Sequence, residues 1–82
     1  MSEGDADPVS WFLIEPGWDV VDSSGERVGT VAEVAGDTEK DIFSGLQVAT
    51  GLLGKQHYVP SEQVGTIVQG RIALTVPKTG LA

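Results

Sequence analysis

Apolar and polar positions alternate most cleanly near the end of the chain, in GRIALTVPK. Ile72, Leu74 and Val76 fall on one side there, Arg71, Ala73 and Thr75 on the other, until Pro77 stops the pattern. A period of two is what a half-buried strand requires. Shorter runs rich in Val, Ile and Thr place further strands at about Trp18–Asp22, Arg27–Ala35, Ile42–Thr50 and Gln56–Val59, with the last at Arg71–Val76. Glycines sit mostly at the boundaries of these runs, and no window carries a sustained i, i+3, i+4 stripe. PSEQVGTI is too short and too Gly-broken for a helix, so Pro60 and Ser61 are expected to open a single turn capped by Ser61.

Val28 and Val31 both suit an interior, yet strict alternation would put them on opposite faces. A bulge at Gly29 reconciles them, and Gly45 marks a second bend. Short strands leave two open edges unless their sheet closes on itself. The expected fold is therefore all-β, a small, strongly bent barrel of five to six strands. Residues 1–10, with three acids and almost no apolar content, are expected to form a short disordered arm, leaving 11–82 as one domain.

Eighty-two residues leave no room for a second core. Cysteine is absent, so neither a disulfide nor a thiolate metal site supplements the first. The opening MSEGDADPVS lacks a basic and an apolar region, and no apolar run approaches the roughly 20 residues of a membrane helix. A soluble, cytoplasmic protein is expected. Twelve acids against five cations give a net charge of −7, and the cations are scattered singly. Affinity for phosphate backbones and anionic lipid rests on clustered cations, so nucleic acid and membrane surfaces are not expected partners.

The stretch VVDSSGERVGTVAEVAGD, followed by GLQV and then HYVPSEQVGTIVQGRIAL, resembles the PRC-barrel domains. The family pattern falls on Val20, Asp22, Gly25, Val28, Gly29 and Val31, and later on Tyr58, Val59, Pro60, Val64, Ile67, Ile72 and Leu74, over about residues 15–77. The resemblance implies a PRC-barrel-like fold with a closing apolar hairpin. It also implies a docking module for other proteins, and it brings no catalytic residues with it.

Candidate chemistry is sparse. Asp22 to Glu26 fails the spacing of a calcium loop, because Arg27 stands where the central Gly is needed. The simpler reading is a hairpin in which Asp22 accepts backbone N–H bonds and Gly25 takes a left-handed conformation. GLLGKQ lacks the first Gly and the Ser or Thr of a phosphate loop, and reads as a hairpin loop. His57 is the one histidine; Glu62 could reach it, but a base without a nucleophile or metal partner makes no active site. The acids at 37–41 read as a solvated turn with at most weak attraction for a divalent ion. No catalytic, cofactor or metal residue is assigned.

Large apolar residues remain to be placed. In VSWFLIEPGW, an extended Trp11–Ile14 would put Trp11 and Leu13 on one side and Phe12 and Ile14 on the other. Phe43 falls out of phase with Leu46 and Val48, which puts it on the outer face, either under a tail packed back or against another chain. Trp11, Phe12, Ile14 and Phe43 are therefore the candidate partner contacts, and Asp22, Gly25, Gly29 and Pro60 the residues that shape the fold. The expected function is a non-catalytic protein-interaction module, with a homodimer as the simplest association. The alternative is a small-ligand or ion-binding domain with weak activity, built near His57, Glu62 or the 37–41 acids.

Overall fold

The computed structural model describes residues 9–50 and 55–80. It contains six strands: β1 (Asp19–Val21), β2 (Arg27–Asp37), β3 (Ile42–Ala49), β4 (Gln56–Pro60), β5 (Val64–Val68) and β6 (Arg71–Leu74). Three single turns of 3-10 helix, Trp11–Leu13, Ser61–Gln63 and Lys78–Gly80, complete the described elements. The strands form one sheet in the order β4-β3-β2-β1-β6-β5, antiparallel except where β1 runs parallel to β6. Residues 1–8 of the expected arm and 51–54 of the GLLGKQ loop lie outside the described residues. Val9 and Ser10, at the end of that arm, are already engaged: the Val9 N–H donates to the Ile67 carbonyl at 2.8 Å.

The all-β expectation holds, but the barrel is corrected to an open sheet. β4 and β5 are its two edges, and no ladder joins them; the chain crosses between them through Ser61–Gln63. That turn begins after Pro60, in extended geometry, and has no side-chain cap, so Ser61 does not play the capping role the sequence suggested. The strand that alternation missed is β5. Between Val64↔Leu74 and Ile67↔Ile72 the register shifts by one residue, and this irregularity breaks the period of two.

Bulges also decide which residues face inward. Val20 pairs with Gly29 and Val21 with Arg27, so Val28 is the extra residue, and both Val28 and Val31 are buried as the expected bulge required. A Cβ on Gly29 would run into the carbonyl of Ala49, which explains glycine there. In β3, Gly45 pairs with Ala35 and Phe43 with Gly36, leaving Ser44 as the extra residue. That shift returns Phe43 to the phase of Leu46 and Val48. It packs against the core instead of lying on the outer face.

Val20, Leu46, Val48, Val59 and Ile72, from four different strands, are the largest wholly buried side chains. Each contributes about 1.5–3 kcal/mol through burial. Val59 on one edge strand, and Val64 and Ile67 on the other, all meet this single core. The sheet therefore curls strongly enough for its two ends to share one interior.

The turn between β1 and β2 is built on Asp22, a buried charged side chain. Its Oδ1 accepts the N–H groups of Ser24 and Glu26, both at 2.8 Å, and its Oδ2 accepts the N–H of Lys78 at 2.8 Å. The Ser23 N–H donates to the Val76 carbonyl at 2.9 Å, so this hairpin is fastened to the chain after β6 twice. Gly25 has φ +88°, the left-handed conformation expected of it, with nothing near the position a Cβ would occupy. Backbone strain alone makes it glycine. Gly25→Val should therefore destabilise the domain by about 1–2 kcal/mol and Gly25→Asn by much less, measured by thermal unfolding.

Burial works to raise the Asp22 carboxyl, but the amides of Lys78, Glu26 and Ser24, with the Lys78 ammonium, outweigh it and hold its pKa below the ordinary 3.8. A carboxyl whose pKa is lower folded than unfolded stabilises the protein above its unfolded pKa. That contribution is lost as pH falls through the folded value. Asp22→Asn should lower Tm at neutral pH, and its gap to the wild type should narrow below about pH 4. A gap that stays constant from pH 7 to pH 3 would show that the charge plays no part.

Candidate functional site

The segment before β1 is shaped by Ser10. Its hydroxyl accepts the N–H of Phe12 at 3.1 Å, and its carbonyl accepts that of Leu13 at 3.0 Å. The backbone winds into a 3-10 turn instead of extending, so strict alternation does not apply. Trp11 and Ile14 turn inward, while Phe12 and Leu13 turn out. Ile14, expected to pair with Phe12 on the outer side, is 7% exposed and belongs to the core.

Trp11 lies over the start of β3. Its ring stacks on Phe43 with centroids 5.2 Å apart and an 18° interplanar angle, and it meets Phe12 edge-on at 4.7 Å. A Cβ on Gly36 would come within 3.0 Å of the indole, so a small residue in β2 makes the seat. The indole N–H donates to Asp41 Oδ1 at 3.0 Å. Asp41 has φ +54°, a left-handed conformation that Asp tolerates better than most residues. The tail does pack back on Phe43, but on the core side of the sheet and not on the outer face from which both readings of Phe43 started. What stays in water is Phe12 at 51%, Leu13 at 51% and, next to Phe43 in the chain, Ile42 at 52%.

The acidic turn is thus partly spent on structure. Asp37 Oδ1 accepts the N–H of Glu39 at 3.0 Å, and Asp41 holds Trp11. His57 pairs with Val48 across β3 and β4 and is half-buried, whereas Glu62 is exposed in the turn that follows β4. Among the described residues, no three of His, Asp and Glu gather as metal ligands would.

Elsewhere a groove of about 330 Å³ is lined by Arg27, Val28, Gly29 and Thr30 of β2, Ala49 and Thr50 at the end of β3, and Lys78. Sequence reasoning missed it, since the pieces are distant in the chain and match no motif. The β2–β3 ladder, which pairs Thr30 with Ala49, the bulge in β2 and the tie between Asp22 and Lys78 bring them together.

A family model described as an uncharacterized protein conserved in bacteria, DUF2171, matches residues 14–81. The chain belongs to that family. This overturns the PRC-barrel assignment. The features that suggested it, Asp22, Gly25, Val28 and Gly29, are what any tight, bulged hairpin needs, so they mark local geometry and not descent. No curated protein matches the chain. The DUF2171 match begins at Ile14, the first residue of this segment to enter the core, and leaves Trp11–Leu13 outside it.

No helix among the described residues is long and apolar enough to cross a membrane. With Asp37 and Asp41 engaged, calorimetric titration with calcium, magnesium or zinc should reveal nothing tighter than about millimolar. A micromolar isotherm abolished by Asp37→Ala/Asp41→Ala would contradict this.

Proposed function

We propose that this protein is a non-catalytic, cytoplasmic protein-interaction module that binds a partner through the face formed by Phe12 and Leu13 beside the Trp11–Phe43 stack. The observation that carries the reading is the exposure of Phe12 and Leu13, two large apolar side chains held outward by a turn tied down on both sides. Exposed apolar side chains held in fixed positions are what a docking surface requires. Their order is imposed before binding, so less entropy is lost on association.

The chemistry beside this face favours a partner other than a second copy. The β2–β3 turn adjoining it carries Asp37, Glu39 and Asp41 against Lys40 alone, and the chain as a whole has a net charge of −7. Two copies would bring like charges together. A partner presenting apolar anchors flanked by Lys or Arg would meet opposite charge. Since Ile14 belongs to the core and Trp11 rests on Phe43, less apolar surface is left to drive a homodimer than the sequence suggested.

Phe12→Ser/Leu13→Ser removes the exposed pair and leaves Trp11, Ile14 and the core in place. Wild-type protein should run as a monomer by light scattering at tens of micromolar. A partner captured by the wild type should be lost with the variant at unchanged Tm, and its capture should weaken as salt rises. A mass near twice the monomer that the variant abolishes would assign the face to a second copy. Identical capture by both proteins would remove this face from the function.

A further inference from the structure

We propose that the groove between the start of β2 and the end of β3 is a binding site for a small oxyanion, the phosphate or carboxylate end of a small molecule. The first support is compositional. The chain carries five cationic residues and twelve acids, yet two of the five cations, Arg27 and Lys78, line this groove and, among the described residues, no carboxylate does. Thr30 and Thr50 add hydroxyl donors, and Val28, Gly29 and Ala49 supply the remaining wall. Guanidinium, ammonium and hydroxyl groups around one concavity are the donor set that oxyanions require, with arginine offering two parallel N–H groups. A volume of about 330 Å³ lies at the small end of ligand sites, which span about 300–1,000 Å³.

The second support is architectural. Lys78 is held by its backbone, through the bond from its N–H to Asp22 Oδ2, and its ammonium acts on the same carboxylate through space. Gly29 lets the Ala49 carbonyl approach where any Cβ would clash, drawing the end of β3 against the bulge. Arg27 is paired with Asp19 at 3.3 Å, but both side chains are more than half exposed. Such surface pairs are weak enough for an incoming anion to displace the carboxylate. Negative charge farther than about 8 Å from the groove is screened at physiological salt, whereas Asp22, bonded to the Lys78 N–H, stays beside it.

The test is an amide-resolved NMR titration with inorganic phosphate and, separately, with succinate, at constant ionic strength balanced by chloride. Saturable shifts at Gly29, Thr30, Thr50 and Lys78 are expected in the low millimolar range or below. The anion that saturates first identifies the ligand class; equal saturation by both supports the shared oxyanion chemistry. Arg27→Gln and Lys78→Gln, at exposed positions and with the Lys78 N–H retained, should each weaken binding at least tenfold. Asp19→Asn should tighten it several-fold, because it frees Arg27. Shifts that rise linearly with either anion, match those of chloride, or persist unchanged in both glutamine variants would overturn the proposal.

Discussion

A sheet that, among the described residues, has no long helix to lay against it must cover its own apolar face, and this molecule is organised around that need. Six short strands cannot do so if they stay flat. The register shifts in β2, β3 and β5 bend the sheet, and the result is one core to which both edge strands contribute. Gly29 follows directly, since a bulge that brings β2 against Ala49 has no room for a side chain. Phe43 does too, since the extra residue Ser44 is what turns it inward.

Curling leaves the ends of the structure to be fastened, and Asp22 fastens one of them. Its carboxylate gathers amides from its own turn and from Lys78, so that the hairpin joining β1 to β2 and the segment after β6 close over the same end. A carboxylate satisfied by three N–H groups is stable in a buried place where an unsatisfied one would be costly. Trp11 is fastened through a different acid, Asp41, and by stacking on Phe43. The groove beside Lys78 and the aromatic face beside Asp41 are therefore both by-products of anchoring, and both present side chains that the fold itself does not consume.

The match to DUF2171 spans the sheet from Ile14 onward, so the curled core and the Asp22 tie belong to the part of the chain shared with that family. Trp11, Phe12 and Leu13 lie just before it. The family match thus covers the scaffold and leaves out the turn whose Trp11 packs onto the core beside Phe43.

Several features were legible in the residues alone because their causes are local. Runs rich in Val, Ile and Thr, with period-two alternation clearest in the last, located five strands, Asp22 with Gly25 announced the turn, and the conflict between Val28 and Val31 demanded a bulge. Two errors shared one origin. Phe43 and β5 were misjudged because a single extra residue reverses the phase of everything beyond it; Gly45 marked a bend in β3 without fixing which way Phe43 would turn, and Gly65–Thr66 was not read as an insertion. The 3-10 turn at Trp11 had its signal in Ser10, but the partners of Trp11 lie some thirty residues away, across the β2–β3 turn. The open edge between β4 and β5, the link from Asp22 to Lys78 and the meeting of Arg27 with Lys78 were decided only by the tertiary structure. Local propensity acts over a few residues, whereas these contacts form only when distant strands share a sheet.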